Sequence, residues 1–586
     1  MRSIVLNRLF SKSKTDQVLN ISKIIIIVFF AIFLLGNFVP FYLHDSPYLY
    51  AILSINLSEG VYSISNELLK ETGRTEFVSG NFLKTVHDTA VPRPGPRISI
   101  IGAPFYLIGD YYGLFYLTPI FAILFIIISE RAATSFFGKY VGFLTLLFLV
   151  TSNLIFRNSI RLQSDVVFSV FIVLGGFFIL RYFKEKKDWN LLAGTSLFVF
   201  ASILRINGVA FFPAEILLVG GYFLIKTISK NRNPYEKNKP SQLIFLKFFQ
   251  KKTAKIIIFL FLPWLIFIAG YALYHDYFFG DPFTNYQQLK EKSKYQNTLS
   301  SLVVFEVQDF ENIKAYSKYL LPYQFAAIHN RLDNNYDNVL GDNWPGIILI
   351  SLFFSVLLLS LYTKKKRTEI IVLLLLIIAN LWFYSAITSP ERFSSGVAGR
   401  FMIPVFTFSS MVISYLIISG FEAVNFKRNI SKGIKIVFGV VLAIFFLGAF
   451  YFSSPGQQIS EGNIEFTNPK KIVDEFPLDK EGIDENTVIL STNGDRTIHF
   501  GAIPFKVISG GKFSDDSVLL LKEIMSDGYE VLTFKKSFSF GDKIMYRELV
   551  DNRGFILKDY SEIFCKIELA TSKNIQSDEV CVNNYN

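Results

Sequence analysis

Cysteine is nearly absent from these 586 residues: there are two, Cys565 and Cys581, both in the hydrophilic final stretch. No CxxC pair exists, which excludes a zinc or redox motif of that type. The sequence leaves open whether the two thiols are bridged. Charge is scarce as well, at 18% of residues against 51% hydrophobic, with a mean hydropathy of +0.37. A soluble chain of this length would need more charge to cover its surface. Nucleotide-cradling loops are missing: Ser509-Gly510-Gly511-Lys512 completes neither a GxGxxG nor a GxxxxGK[ST] pattern. There is no internal repeat and no inverted pair of interrupted hydrophobic segments of the transporter kind.

What is present is a series of apolar runs of about twenty residues, each long enough to cross ~30 Å of hydrocarbon. They fall at Ile24 to Leu43, 112–129, 140–157, 164–183, 190–205, 207–228, 256–275, 345–362, 369–387, 401–420 and 434–452. The first run is too long for a signal-peptide core and lacks a small-residue cleavage site, so it reads as a retained span. The net charge of +11 is unevenly spread. Residues 453–586 hold 22 acids and 15 bases, net −7, which leaves +18 on the rest. That positive charge sits in short loops: Lys184/Lys186/Lys187, the nine bases from Lys226 to Lys255, Lys364 to Arg367, and Lys427 to Lys435. This is the pattern of cytoplasmic loops, and nucleic-acid binding is not expected.

Placing those clusters inside makes the count of eleven spans consistent, provided that the short apolar segment Ile98 to Gly109 does not span by itself. At about twelve residues it suits re-entrant or interfacial packing. The N-terminus is then cytoplasmic, and the segments 44–111, 276–344 and 453–586 lie outside. Two domains are expected: 1–452 in the plasma membrane and 453–586 as an extracytoplasmic α/β unit. Strands are predicted at Val488–Leu490, Lys506–Ser509, Glu530–Phe534 and Phe564–Leu569, and helices at Asp515–Asp527 and Lys543–Arg553.

Chemistry-bearing residues gather where spans meet the outside. His44-Asp45 follows the first span, Arg97 precedes the short apolar segment, Arg161 and Asp165 open the fourth span, Arg205 closes the fifth, and Arg400 precedes the tenth. Ionisable groups at membrane depth are expensive to keep, so they point to use, although a single arginine can simply snorkel to the interface. One carboxylate with several arginines suits glycosyl transfer from a polyprenyl-phosphate sugar. The acceptor hydroxyl needs a general base, while the departing phosphate needs cations rather than an acid. A glycoside hydrolase would instead need a paired acid and base. A transporter or lipid flippase is the alternative, but the span centres are nearly free of charge. A membrane scaffold would give the outer loops no reason to concentrate Asp, Arg and Pro-Gly. Three of the five histidines precede an aspartate, at His44-Asp45, His87-Asp88 and His275-Asp276. His44, His87 and Asp88 are therefore candidates for a Zn²⁺ or Mn²⁺ site, with ordinary polar loop residues as the other reading.

Five stretches, taken together, resemble the GT-C superfamily of membrane glycosyltransferases, near the protein O-mannosyltransferase and lipid A aminoarabinose transferase branch. His44-Asp45 looks like the acidic residue these enzymes place in the first outer loop, where the usual acidic pair is here His-Asp. Arg93-Pro94-Gly95-Pro96-Arg97-Ile98-Ser99, running into Ala103-Pro104-Phe105-Tyr106-Leu107, is similar to their Tyr-Pro-Pro-Gly-x-Ser…Pro-Phe-Tyr-Leu. Gln163-Ser164-Asp165-Val166, Gly280-Asp281-Pro282-Phe283 and Gly396-Val397-Ala398-Gly399-Arg400-Phe401 resemble the remaining motifs in order. The resemblance implies a GT-C-like helical membrane fold with juxtamembrane segments, a polyprenyl-phosphate-sugar donor, and a protein, lipid or glycan acceptor. It also implies Asp45 as general base and Asp165 as a second acid positioning acceptor or metal. Arg205 and Arg400 would hold the donor phosphate, with His44, Arg97 and Arg161 completing the substrate-binding set. Asp45 and Asp165 both stand where a helix cap would stand, which is the competing role for each.

Overall fold

The computed structural model describes residues 14–36, 45–61, 82–84, 86–87, 90–92, 97–231, 251–282, 366–387, 402–428, 487–491, 507–509, 515–534, 554–560, 564–570, 577 and 581. The chain divides into two units. One comprises Met1–Phe38, Tyr116–Tyr271 and Tyr295–Glu465; the other comprises Val39–Phe115, Ala272–Lys294 and Phe466–Asn586.

Long apolar helices dominate: α1 (Lys14–Leu35), α2 (Asp45–Ser58), α3 (Ser99–Phe137), α4 (Lys139–Val150), α5 (Asn153–Ser159), α6 (Ser164–Glu185), α7 (Asp188–Leu204), α8 (Phe211–Asn231), α9 (Lys251–Phe279), α10 (Arg367–Ile387) and α11 (Ile403–Arg428). Among the described residues, five helical stretches are long and apolar enough to cross a membrane: Asp16–Leu35, Tyr112–Phe137, Ser164–Glu185, Ala254–Phe279 and Ile403–Glu422. The chain is a multi-pass membrane protein. The predicted spans 345–362 and 434–452 lie outside the described residues.

Two predicted spans differ from the structure. The first helix begins at Lys14 rather than Ile24 and ends at Leu35, with a turn at Gly36. Its early start is possible because its charges find partners: Asp16 accepts from Lys139, and Lys23, only 8% exposed, pairs with Glu130, whose carboxylate also accepts from Thr134 Oγ1 at 2.6 Å. Pairing offsets the cost of burying these charges. The predicted span 140–157 is broken into α4 and α5. Ser152 caps α5, its hydroxyl accepting from the Ile155 amide at 3.4 Å, so the Thr151-Ser152-Asn153 run interrupts the apolar sequence. At twelve residues, about 18 Å, α4 alone is too short to span.

The segment Ile98 to Gly109 falls outside the stretch Tyr112–Phe137 that is long and apolar enough to cross a membrane. It is the first arm of α3, set apart from the following span by non-helical backbone at Gly109 and by Asp110 with φ 52°. Its exposed residues Ile100, Leu107 and Ile108 recur at helical spacing, leaving an apolar face uncovered within the described residues.

In hydrocarbon, helices gain little from hiding apolar surface against each other, so close backbone approach matters more. The α6–α7 pair uses it. A Cβ on Gly175 would lie 2.6 Å from the Phe198 ring, and one on Gly194 would lie 2.8 Å from Ile179 and 3.2 Å from the Gly175 carbonyl oxygen. Gly194→Leu is expected to lower stability by about 1–3 kcal/mol, seen as an earlier thermal melt of the detergent-solubilised protein. An unchanged melt would mean that the two backbones are not in contact.

In the second unit, β1 (Phe82–Lys84) and β2 (Ala90–Pro92) pair antiparallel, and β3 (Thr487–Ser491), β4 (Val507–Ser509), β5 (Glu530–Phe534), β6 (Phe555–Asp559) and β7 (Phe564–Leu569) form a separate mixed sheet in the order β4-β3-β5-β7-β6. β3 is parallel to β4 and β5, and β7 is antiparallel to β5 and β6. The helix α12 (Asp515–Ser526) turns Val518, Leu521 and Ile524 into the same core as Val488, Val531, Phe555 and Ile567. β5 and β7 have the predicted bounds, while β6 was not anticipated and the predicted helix Lys543–Arg553 lies outside the described residues. Cys565 and Cys581 form a disulfide with Cα atoms 6.2 Å apart, closing a sixteen-residue separation. A loop of that size contributes about 3 kcal/mol.

Candidate functional site

The α6–α7 hairpin decides which residues meet in the first unit. Its arms are 22 and 17 residues long and antiparallel, joined by a tight turn in which Lys186 caps α6 with φ 59°. Asp165 stands in the first turn of α6, and Arg205 caps the end of α7. Antiparallel arms of similar length therefore bring the two to the same end. Helix dipoles favour this, with the acid at a helix start and the base at a helix end.

Arg205 Nη1 donates to Asp165 Oδ1, and Ser164 Oγ lies 3.4 Å from the same nitrogen. Asp165 is 3% exposed and Arg205 8%, so the pair is desolvated. The capping alternative for Asp165 does not hold: the N-cap is Gln163, and the Asp165 carboxylate is directed to Arg205. The sequence had assigned Arg205 to donor phosphate; the structure gives it an internal counter-charge. Arg161 lies between α5 and α6 and is half-buried.

Two sequence-distant helices share an end in the second unit. The Tyr50 carbonyl accepts from Ser54 Oγ at 2.6 Å and from Ser99 Oγ at 3.1 Å. One turn further along, Gly102 sits against Ser54, where a Cβ would come within 2.0 Å of its hydroxyl. The pairs 50–99 and 54–102 advance together, so α2 and the first arm of α3 run parallel. Asp45 opens α2, and Arg97 precedes Ser99 with φ 31°. Both predicted residues thus stand at the shared N-terminal end of the two helices.

His87 is exposed, its ring 4.9 Å from Tyr277, while the neighbouring Val86 amide donates to the Phe278 carbonyl at 2.9 Å. His275 is buried, its ring 5.4 Å from both Tyr274 and Phe279. Among the described residues no group of three or more His, Cys, Asp or Glu side chains gathers to hold a metal ion. Of the three candidate ligands for a divalent ion, only His87 is among the described residues. His44, Asp88 and Arg400 lie outside the described residues.

Sequence reasoning missed a buried acid. Glu215 on α8 is fully buried and accepts from Thr195 Oγ1 of α7 at 2.9 Å and from Trp264 Nε1 of α9 at 3.0 Å. The signal was a single carboxylate within the apolar run 207–228, overlooked because the span centres otherwise hold almost no charge. It ties three helices together around the joint that carries Arg205.

No protein-family profile and no curated protein matches the chain. Solved structures do. ArnT from Cupriavidus metallidurans bound to undecaprenyl phosphate is similar at 9% identity with a TM-score of 0.52, over 94% of this chain and 98% of that one. The same protein in the apo state gives 10% identity and a TM-score of 0.49, over 94% and 97% of the two chains. The archaeal oligosaccharyltransferase AglB from Archaeoglobus fulgidus, in complex with an inhibitory peptide and a dolichol-phosphate, gives 11% identity and 0.47, over 91% and 72%. The chain has the fold of the GT-C membrane glycosyltransferases. Within that class its likeness to ArnT extends over nearly the full length of both proteins.

Proposed function

We propose that this protein transfers a sugar from a polyprenyl-phosphate donor to a hydroxyl acceptor at the extracytoplasmic face of the membrane. The observation that carries the reading is the desolvated Asp165–Arg205 pair at the joined ends of α6 and α7, within a GT-C fold. A structural ion pair of that kind is costly to maintain and is retained where geometry must be fixed. Within the second unit, the parallel helix ends that carry Asp45 and Arg97 put a carboxylate-bearing and a guanidinium-bearing position at one end of that helix pair.

In the proposed reaction Asp45 takes the proton of the acceptor hydroxyl as its oxygen attacks the anomeric carbon. The bond from that carbon to the phosphate oxygen breaks, and the electron pair leaves with the phosphate. Arg97, Arg161 and Arg400, with His44, would supply the positive charge that the departing phosphate needs. Asp165 would position the acceptor, with its own orientation set by Arg205. In this reading the N-terminus lies inside and residues 453–586 lie outside as an α/β domain. The Cys565–Cys581 disulfide supports that side, because such bonds persist in oxidising compartments.

Mass spectrometry of lipid copurifying with the protein tests the reading. Polyprenyl phosphate, with or without a sugar, is the expected finding. Bulk phospholipid alone would favour a transporter or a scaffold.

A further inference from the structure

We propose that Gln163 is a specificity-determining residue whose side-chain amide hydrogen-bonds a hydroxyl of the transferred sugar, an inference that rests on the proposed glycosyl transfer. Gln163 is the N-cap of α6, a 22-residue helix, with extended backbone at φ −137° and ψ 146°. Its side chain makes no capping bond, and it is 4% exposed. Its amide oxygen has no hydrogen-bond partner among the described residues. Among the described residues it is bonded through its backbone, the amide donating to Thr118 Oγ1 at 3.4 Å.

An N-cap favours Ser, Thr, Asp or Asn because a short side chain can reach the helix amides. Glutamine is one methylene longer and here does not serve. A buried amide oxygen without a donor is destabilising, and buried polar groups are ordinarily paired. The free-standing amide therefore points to a partner that arrives with the substrate. Its surroundings select the chemistry of that partner. Asp165, two residues further on, is paired with Arg205, so neither member of that pair is left over to hold a phosphate beside the amide. A carboxamide is itself neutral and offers both donor and acceptor atoms, and a hydroxyl likewise donates and accepts, so it satisfies either end of the amide. Sugar hydroxyls are the groups of the donor that fit. Phosphate recognition then falls to other arginines.

The test uses the full-length protein in lipid nanodiscs, with undecaprenyl phosphate and a panel of undecaprenyl-phosphate hexoses as probes. Wild type is expected to bind one sugar-bearing lipid more tightly than undecaprenyl phosphate. Gln163→Met keeps the length and removes the polar atoms. It should melt at or above wild type, bind undecaprenyl phosphate unchanged, and bind the preferred sugar lipid about tenfold more weakly. An unchanged affinity for the sugar lipid would overturn the assignment. So would a lowered melting temperature, because the amide would then be bonding the protein's own atoms, or a wild type that does not distinguish any hexose-bearing lipid from undecaprenyl phosphate. Wild type that binds no polyprenyl phosphate at all would overturn glycosyl transfer itself, and Gln163's role with it. Wild type that binds as expected, with Gln163→Met identical to it, would remove Gln163 alone.

Discussion

Asp45→Asn is expected to insert, fold and bind donor like wild type and yet lose at least ~100-fold in transfer, because a positioned general base contributes about 10²–10⁴ to rate. The substitution suits the question. Asparagine caps a helix as well as aspartate does, so α2 keeps its start, while the basicity needed to accept a proton is gone. A capping role predicts an unaltered rate and a catalytic role predicts its loss, and both are read from one transfer assay beside one thermal melt. Substantial activity in the variant would move the search for a base to Asp165 or Asp88.

Breaking the Asp165–Arg205 pair should have the largest effect on stability. Either Asp165→Asn or Arg205→Ala strands a buried group whose partner charge is gone, at a cost of about 3–5 kcal/mol. The double replacement Asp165→Leu with Arg205→Met should recover most of that stability, since no charge then remains to be compensated, while transfer stays lost. A double-mutant cycle in thermal melts measures the coupling. Single variants that melt like wild type would show that the pair is solvated and would withdraw it from the site. Arg205→Lys discriminates further: an ammonium keeps the charge without the planar fork, so stability should be largely retained while activity falls.

Much of this arrangement was legible from residue order. The runs 164–183 and 190–205 are separated by a basic turn, and two helices of similar length joined tightly must return to the same side. That placed Asp165 and Arg205 at one level before any coordinates. The strands Glu530–Phe534 and Phe564–Leu569 were likewise readable, because β-branched and aromatic residues fall in short runs there and polar turn residues bound them. The start of the first helix was missed because an apolar run leaves out Lys23 and Asp16, whose charges are paired with Glu130 and Lys139. The break at Thr151-Ser152 was missed because an apolar window averages over a capping residue. β6 was missed because Phe555-Ile556-Leu557 is a continuous apolar run without alternation, and only its pairing with β7 defines it as a strand.

The sequence by itself determined where apolar helices form, which loops are basic, and which charged residues end the helices. Transfer of a side chain into hydrocarbon and the period of a helix are local properties that sum along the chain. Tertiary structure alone decided who pairs with whom: Arg205 with Asp165, Lys23 with Glu130, Cys565 with Cys581, Glu215 with Thr195 and Trp264, and Ser99 with the Tyr50 carbonyl. Each of these joins residues between 16 and 107 positions apart. A hydrogen bond or ion pair forms only within about 3–4 Å and a narrow range of angles, and no local property of the chain encodes a distance across that separation. The same holds for Gln163, which reads as an ordinary polar residue at the start of a helix. Its burial without a partner exists only once α6, α7 and Thr118 have been brought around it.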